Sequence, residues 1–397
     1  MDPSARKTFN AHFTTEKYER FLSDINAGLQ NPIAFRVAET PIFLTAAFRD
    51  KLIAAGNDII DTILQPDFKE LTERAIPDKW RVANENDHAH FIALDFAVCK
   101  DESGTLVPKL IELQGFPSLY GFQVKLGESY RDNFDLGDDW TIFFSGLDKN
   151  SYINLLKKTI GGDYSPDEVV LMDVNAPEQK TSVDFYITLE YLGIPVVSLA
   201  DLEQEGDALF YRIDGERKRI KRIYNRLIFD EIDNDPNIFD KVVDLRQALD
   251  VEWITHPNWF YRISKFTMPF LKGAYIPKTQ FLHKVKQVPA DLENYVLKPL
   301  FSFAGQGVII DVKKSDIENI KDPENWILQQ KVNYEPVVRA PDGGVKAEIR
   351  LLYLWPNGYE KPVLAINLAR LSRGKMIGVR YNKDFDWVGG NIAFMPK

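Results

Sequence analysis

Between Asn294 and Val312 the chain reads NYVLKPLFSFAGQGVIIDV. Two apolar runs, each too short for a stable helix, flank a loop of serine, phenylalanine, alanine and glycine. Length and pattern predict two strands joined across a flexible connection. The first run ends in Lys298-Pro299, so a cation stands at the end of a strand expected to be buried. Gly305 and Gly307 flank Gln306. Backbone N–H groups without neighbouring side chains can approach phosphate oxygens closely. No Gly-Lys-Ser/Thr follows and no helix is predicted after the loop, which excludes a P-loop. Taken alone, the same residues also make a plain hairpin with a stray lysine.

What surrounds this stretch narrows the choice. At 397 residues the chain is long enough for two or three domains. Its net charge of -9 argues against a broad basic face for nucleic acid or an anionic membrane, and leaves room for a local cationic pocket. No run approaches the ~20 apolar residues of a membrane span, and MDPSARKTFNAHF has no apolar core of a secretory leader. Cys99 is the one cysteine, so no disulfide can form within the chain, and a cytoplasmic setting is expected. Lying in FIALDFAVC, it reads as a small buried residue and not a nucleophile.

The texture changes along the chain. Residues 1–90 read as helical. Thr40-Pro41 offers a cap and a first-turn proline for the periodic IFLTAAFRDKLIAAGNDIIDTIL, and QPDFKELTERAI predicts a second helix after Pro66. In 91–150, HFIALDFAVC and VPKLIELQGF predict a strand pair across the turn DESG, followed by a helix around 122–131. In 151–258, DEVVLMDV, KTSVDFYITLEYLG and IPVVSLADL alternate strand, helix and strand, which predicts a small parallel sheet. DEIDNDPNIFDKVVDLRQAL predicts a loop and helix. In 259–397, YRISKFTMPFLKGAY predicts a helix, and ENYVLKPLF, GVIIDV, WILQQKV, AEIRLLYLW, KPVLAINLARL and GVRY predict strands with polar turns. The fold class is therefore α+β with an α/β part.

Glu112 and Gln114 stand two apart on the strand IELQGF, so both point to one face. Asp95, on the neighbouring strand, adds a third oxygen. Such a trio suits a hard cation that keeps some waters. Paired strand ions are the plain alternative. Arg350 alternates with Glu348 on AEIRLLYLW, and a ladder ion pair competes there with a role toward phosphate or a substrate carboxylate.

The order of these groups resembles the ATP-grasp fold, in which two α+β subdomains close on ATP. Lys265, then Lys298 with its glycine loop, then WILQQKV leading to a hinge, follow that order. The metal candidates precede the lysines, which is similar to the circularly permuted branch typified by glutathionylspermidine synthase. ALDF with LIELQGFPSLYGF looks like that family's Asp strand and Glu-x-Asn-x-x-x-Pro strand. RIYNRLIFDE and IGVRYNKDFDWVGGNIAFMP resemble its pre-nucleotide strand and closing motifs. The resemblance implies a helical N-terminal region and a small parallel-sheet pre-ATP-grasp domain at 151–258. It also implies nucleotide-binding subdomains at 259–397.

The resemblance further implies ATP and Mg2+ as cofactors, and small carboxylate and amine substrates joined as an amide through an acyl phosphate. Lys265, Lys298, Ser302, Gly305, Gln306 and Gly307 would hold phosphates. Gln330, Lys331 and Val332 would line the adenine, with Glu335 toward the ribose. Asp95, Glu112 and Gln114 would hold the metal. Arg380 would face the developing charge, and Asn391 would support its loop; Arg350 is a second catalytic candidate from its own strand, AEIRLLYLW.

Three positions depart from the family. Gln114 stands where asparagine is usual, Ala93 where the synthases carry arginine, and Tyr381 where glutamate follows Arg380. Ala93 and Gln114 motivate an alternative, an ATP-binding regulatory protein with little turnover. No amidase domain accompanies the resemblance. Two other motifs carry bland readings: His88-x-His90 as a solvated loop, and GERKRIKR as a solvated strand face and not a nucleic-acid patch.

Overall fold

The computed structural model describes residues 1–29, 31–232, 242–302, 305–374, 377, 382 and 384–397. It is a mixed α+β fold with several sheets. At its centre the strands Gly389–Asn391, Val363–Ser372, Gly343–Leu354, Phe91–Lys100 and Leu106–Gln114 pair side by side, and Pro336–Ala340 pairs with Gly343–Leu354. Strands separated by some two hundred residues of chain thus share one antiparallel sheet.

Burial drives that long-range pairing. Every residue of Phe91–Lys100 except Lys100 is buried. Fully burying a Leu, Val or Phe side chain is worth about 1.5–3 kcal/mol, so displacing this strand would forfeit many such terms at once. The helix Ala46–Ile63 packs here through Phe48, Leu52, Ala55, Ile59 and Ile63, which recur at helical spacing. Gly56 permits the approach, because a Cβ there would sit 2.1 Å from the Tyr353 hydroxyl oxygen.

That helix begins later than Thr40-Pro41 predicts. Thr45 is its cap, accepting from the Phe48 N–H. Ile42–Phe43 is instead a short strand parallel to Ala393–Pro396. Tertiary pairing has overridden the local start signal. The helix expected after Pro66 is a single turn, Phe68–Leu71, with a 3-10 turn at Glu73–Ala75.

The parallel sheet appears as expected, with strand order Glu252–Ile254, Arg222–Asn225, Val169–Asp173, Val196–Ser198. The chain leaves Val169–Asp173 to one side first and the other side later, so the order reverses between Val169–Asp173 and Arg222–Asn225. Ligands of open α/β sheets bind beyond the carboxyl ends of strands at such a reversal. Helix Ser182–Leu192 covers this sheet and ends at Gly193 in the left-handed region.

Two predicted elements differ. YRISKFTMPFLKGAY is a short helix, Pro257–Arg262, followed by a 3-10 turn, Lys265–Phe270, that contains Pro269. Proline lacks the N–H an α-helix would need there. GVIIDV forms no ladder: Leu297 and Ile309 exchange one pair of backbone bonds, and Tyr295–Pro299 pairs with Trp326–Gln330 instead. The GVRY strand and most of the loop expected after Glu231 lie outside the described residues. No helix among the described residues is long and apolar enough to cross a membrane.

Candidate functional site

Strand register explains the site. Asp95 stands opposite Glu112 on one neighbouring strand and opposite Arg350 on the other. Glu348 stands opposite Arg370. Period-two alternation then places Asp95, Glu112, Gln114, Glu348, Arg350 and Arg370 on one face. Arg350 donates to both Asp95 oxygens, Nε at 2.5 Å and Nη2 at 2.6 Å. Arg370 Nη2 donates to Asp95 Oδ2 at 3.2 Å and also to Glu348 Oε1. The Tyr334 hydroxyl donates to the other Glu348 oxygen at 2.9 Å.

These charges are buried. Burial alone would raise the Asp95 carboxyl, but the Arg350 and Arg370 guanidinium groups hold it below its ordinary value. Glu348 goes the other way: burial pushes its carboxyl up, and the Asp95 charge adds to that against the pull of Arg370.

The two lysines both feel the Glu112 carboxylate. Lys298 Nζ donates to the Ile111 carbonyl at 3.0 Å, on the Glu112 strand. Burial lowers the Lys298 amine, and the nearby Glu112, Glu348 and Asp95 carboxylates partly restore it. Lys265 Nζ donates to the Ser302 carbonyl and hydroxyl oxygens, both at 2.7 Å. Burial lowers this amine to about 8, against the Glu112 carboxylate and with the repulsion of Lys298. Gly305 and Gly307 adopt φ of +74° and +73°, the left-handed region glycine tolerates. Gln306 and Gly307 are exposed. Phe303, Ala304 and Arg380 lie outside the described residues.

A cavity of about 580 Å³ opens beside these groups, and Lys298, Gly305, Gln306 and Gly307 do not line it. Glu112, Gln114, Lys265, Ser302 and Arg350 all line it. So does Arg226, which immediately follows the strand Arg222–Asn225 at the reversal of the parallel sheet. Arg226 is 5% exposed, and its Nε and Nη1 are buried without partners. Its guanidinium lies 4.9 Å from the Phe116 ring and 5.2 Å from Phe185. A buried guanidinium with unused donors is a ready anion hook.

Gln330, Lys331, Val332 and Glu335 do not line this cavity. Val332 instead packs with Tyr334, Ile111 and Tyr275 against Ala97, Cys99 and Val107, an apolar patch next to the carbonyl that Lys298 holds. Lys331 pairs with Asp311, and Glu335 with Lys100.

The proposed metal donors fit Mg2+ only in part. No group of three His, Cys, Asp or Glu among the described residues is arranged to hold a metal. Both Asp95 oxygens are engaged by arginine. Glu112 and Gln114 do face the cavity, with the Gln114 amide donating to Glu112 Oε1 at 3.1 Å. One carboxylate shared with substrate phosphates is an ordinary way to bind Mg2+. Glu112 therefore fits, and Asp95 serves as the acid that orients Arg350.

Other sequence readings resolve plainly. Cys99 is buried, and burial pushes its thiol up to about 12, so it is no nucleophile. His88-x-His90 is not a solvated loop: His90 is fully buried and its Nε2 bonds Asn357, while His88 stacks on Trp355. The basic run is a strand face, with Arg217 on Glu203 and Glu205 and Arg219 on Asp250. Asn391 donates to the Thr40 carbonyl at 2.6 Å. Sequence reasoning missed Arg370, Tyr334 and Arg226. Arg370 was legible in principle from alternation along NLARLS, whereas Arg226 needed the strand order.

No family model matches the chain, and no curated protein is significantly similar to it. Among solved structures it resembles a glutathione synthetase-like effector from Globodera pallida, in its apo form. The TM-score is 0.56 and the identity 12%, over 96% of each chain. At that identity the likeness shows the fold alone, a glutathione synthetase-like fold.

Proposed function

We propose that the chain is an ATP- and Mg2+-dependent carboxylate–amine ligase of circularly permuted ATP-grasp type, working in the cytoplasm. The observation that carries this reading is one cavity lined by Lys265, Ser302, Glu112 and Gln114, from segments far apart in sequence, with Lys298 beneath it. Two buried ammonium groups facing a carboxylate suit a polyphosphate that arrives with a divalent cation. Mg2+ would screen the phosphate charge, held by Glu112 with Gln114.

The chain's own residues then divide the work. Lys265, Lys298 and the loop Ser302–Gly307 bind phosphates, and the apolar patch at Val332 takes the adenine with Glu335 toward the ribose. Arg350, oriented by Asp95, and Arg380 face charge developing on the transferred phosphoryl group. A substrate carboxylate takes that group, giving an acyl phosphate with a good leaving group, and an amine displaces phosphate to leave an amide. The α/β region contributes Arg226 as a further anion contact.

Purified protein with ATP, Mg2+ and pooled amino acids, peptides or polyamines should release ADP and phosphate above background. Lys298→Met should abolish the release. A second reading rests on the arginines that occupy both Asp95 oxygens: the fold binds ATP but turns over little and acts in regulation. Nucleotide binding with no phosphate release across broad pools would favour it.

A further inference from the structure

A second cavity, of about 790 Å³, adjoins the first and shares Ser118, Lys180, Thr181 and Arg350 with it. Its size lies within the range of small-molecule sites. Most of its wall is apolar: Leu22 and Ile25 from helix Thr15–Asn26, Phe35, Phe122, Leu368 and Val388. Its charged groups are all cations. Arg36, Lys180, Arg350 and Arg370 line it, and no described lining residue is an acid.

Three lining side chains carry a buried polar atom without a partner, Arg36 through its Nε. Gln123 is 1% exposed, and its amide oxygen is buried without a partner. Arg370 Nε is likewise buried and unpartnered. A buried polar atom left unpaired carries a desolvation penalty, so a ligand that reaches it gains specificity. The three arginines pair with Asp95, Glu348, Glu39 and Asp386, none of which lines the cavity. Lys180 has no ion-pair partner among the described residues and stands where the two cavities meet.

We propose that this second cavity binds the acid substrate, and that the acid is a small carboxylate with an aliphatic or aromatic body. Its carboxylate meets Lys180 and Arg350 at the shared mouth, and Gln123 accepts from an N–H or hydroxyl on the body. A polyamine does not belong here, because no described lining residue is an acid that would pair with a buried ammonium. The fate of the carboxylate rests on the ligase reading. One of its oxygens attacks the terminal phosphorus of ATP, the bond from that phosphorus to the ADP oxygen breaks, and no proton is gained or lost.

Isothermal titration of the full chain without nucleotide tests the pocket directly, with octanoate, 3-phenylpropanoate, succinate and spermidine as probes. Octanoate or 3-phenylpropanoate should bind measurably and more tightly than succinate, and spermidine should not bind there. Leu22→Glu puts an acid into the wall from a half-buried position on a surface helix, and should weaken the apolar acids about tenfold or more. Its circular dichroism and melting point report whether it stays folded. Leu368→Trp, which fills the cavity, is the second variant. No binding by either apolar acid overturns the proposal. So does succinate or spermidine binding as tightly, or both folded variants binding unchanged. A parallel titration with a non-hydrolysable ATP analogue separates the two readings. Nucleotide binding without acid binding overturns the pocket alone. Acid binding without nucleotide binding upholds the pocket and overturns the ligase.

Discussion

Asp95 and Arg350, 255 residues apart in sequence, face each other across adjacent strands and share two N–H···O bonds of 2.5 and 2.6 Å. The pair is almost wholly buried. It joins an early strand to a late one and fixes the guanidinium that lines both cavities.

Removing one partner should therefore be costly. Asp95→Ala leaves Arg350 buried and unpaired, and breaking a buried pair this way costs about 3–5 kcal/mol. Replacing both, Asp95→Leu with Arg350→Met, should recover much of that loss. Urea unfolding of the single and the double variant checks it; equal instability of the two would contradict a coupled pair.

Nucleotide affinity should depend on pH through Lys265, whose amine burial lowers to about 8 from 10.5. The protonated form binds phosphate, so affinity should fall as pH rises through 8, with proton uptake on binding near that pH. Lys265→Arg keeps its charge and should hold affinity to higher pH. The effect on stability has the opposite sense. Between about 8 and 10.5 the unfolded chain binds the extra proton, so this residue's penalty on folding is present below 8 and fades above it. Titrations in buffers of different ionisation enthalpy read the proton uptake.

Much of this arrangement was legible in the residues, and the limits were physical. Strict alternation along AEIRLLYLW and ALDFAV identified faces, because strand period is fixed by the backbone. It could not say which strands pair, since register across two hundred residues depends on tertiary burial. That is why Arg350 met Asp95 and not Glu348, and why Arg370 and Tyr334 went unnoticed. Thr40-Pro41 was a sound local cap signal, defeated by Ile42 and Phe43 pairing with the strand Ala393–Pro396. His90 looked solvated because neighbouring polar residues surround it in sequence, whereas its partner Asn357 is remote. Arg226 drew meaning only from the reversal of the parallel sheet.

The glycine loop should tolerate side chains poorly. Gly307 has φ +73°, and a Cβ there would meet Pro299 Cγ at 3.0 Å. Gly307→Ala should cost about 1–2 kcal/mol and weaken nucleotide binding more than it lowers the melting point would suggest. Paired melting and nucleotide titrations check this; unchanged affinity would remove the loop from the phosphate site.

Glu112→Gln should leave the fold intact, because Glu112 is only half-buried at the cavity edge. It should remove most of the Mg2+ dependence of nucleotide binding while leaving binding without metal similar or slightly better. Titrations with and without Mg2+ decide this, and a full metal effect in the variant would exclude Glu112 as the ligand.

A crystal structure with a non-hydrolysable ATP analogue and Mg2+ tests the central claim most directly. Phosphate oxygens are expected within roughly 3 Å of Lys265 and Lys298 Nζ, and a Glu112 oxygen about 2.0–2.1 Å from the metal. A nucleotide bound away from both lysines, or a metal held without Glu112, would contradict it.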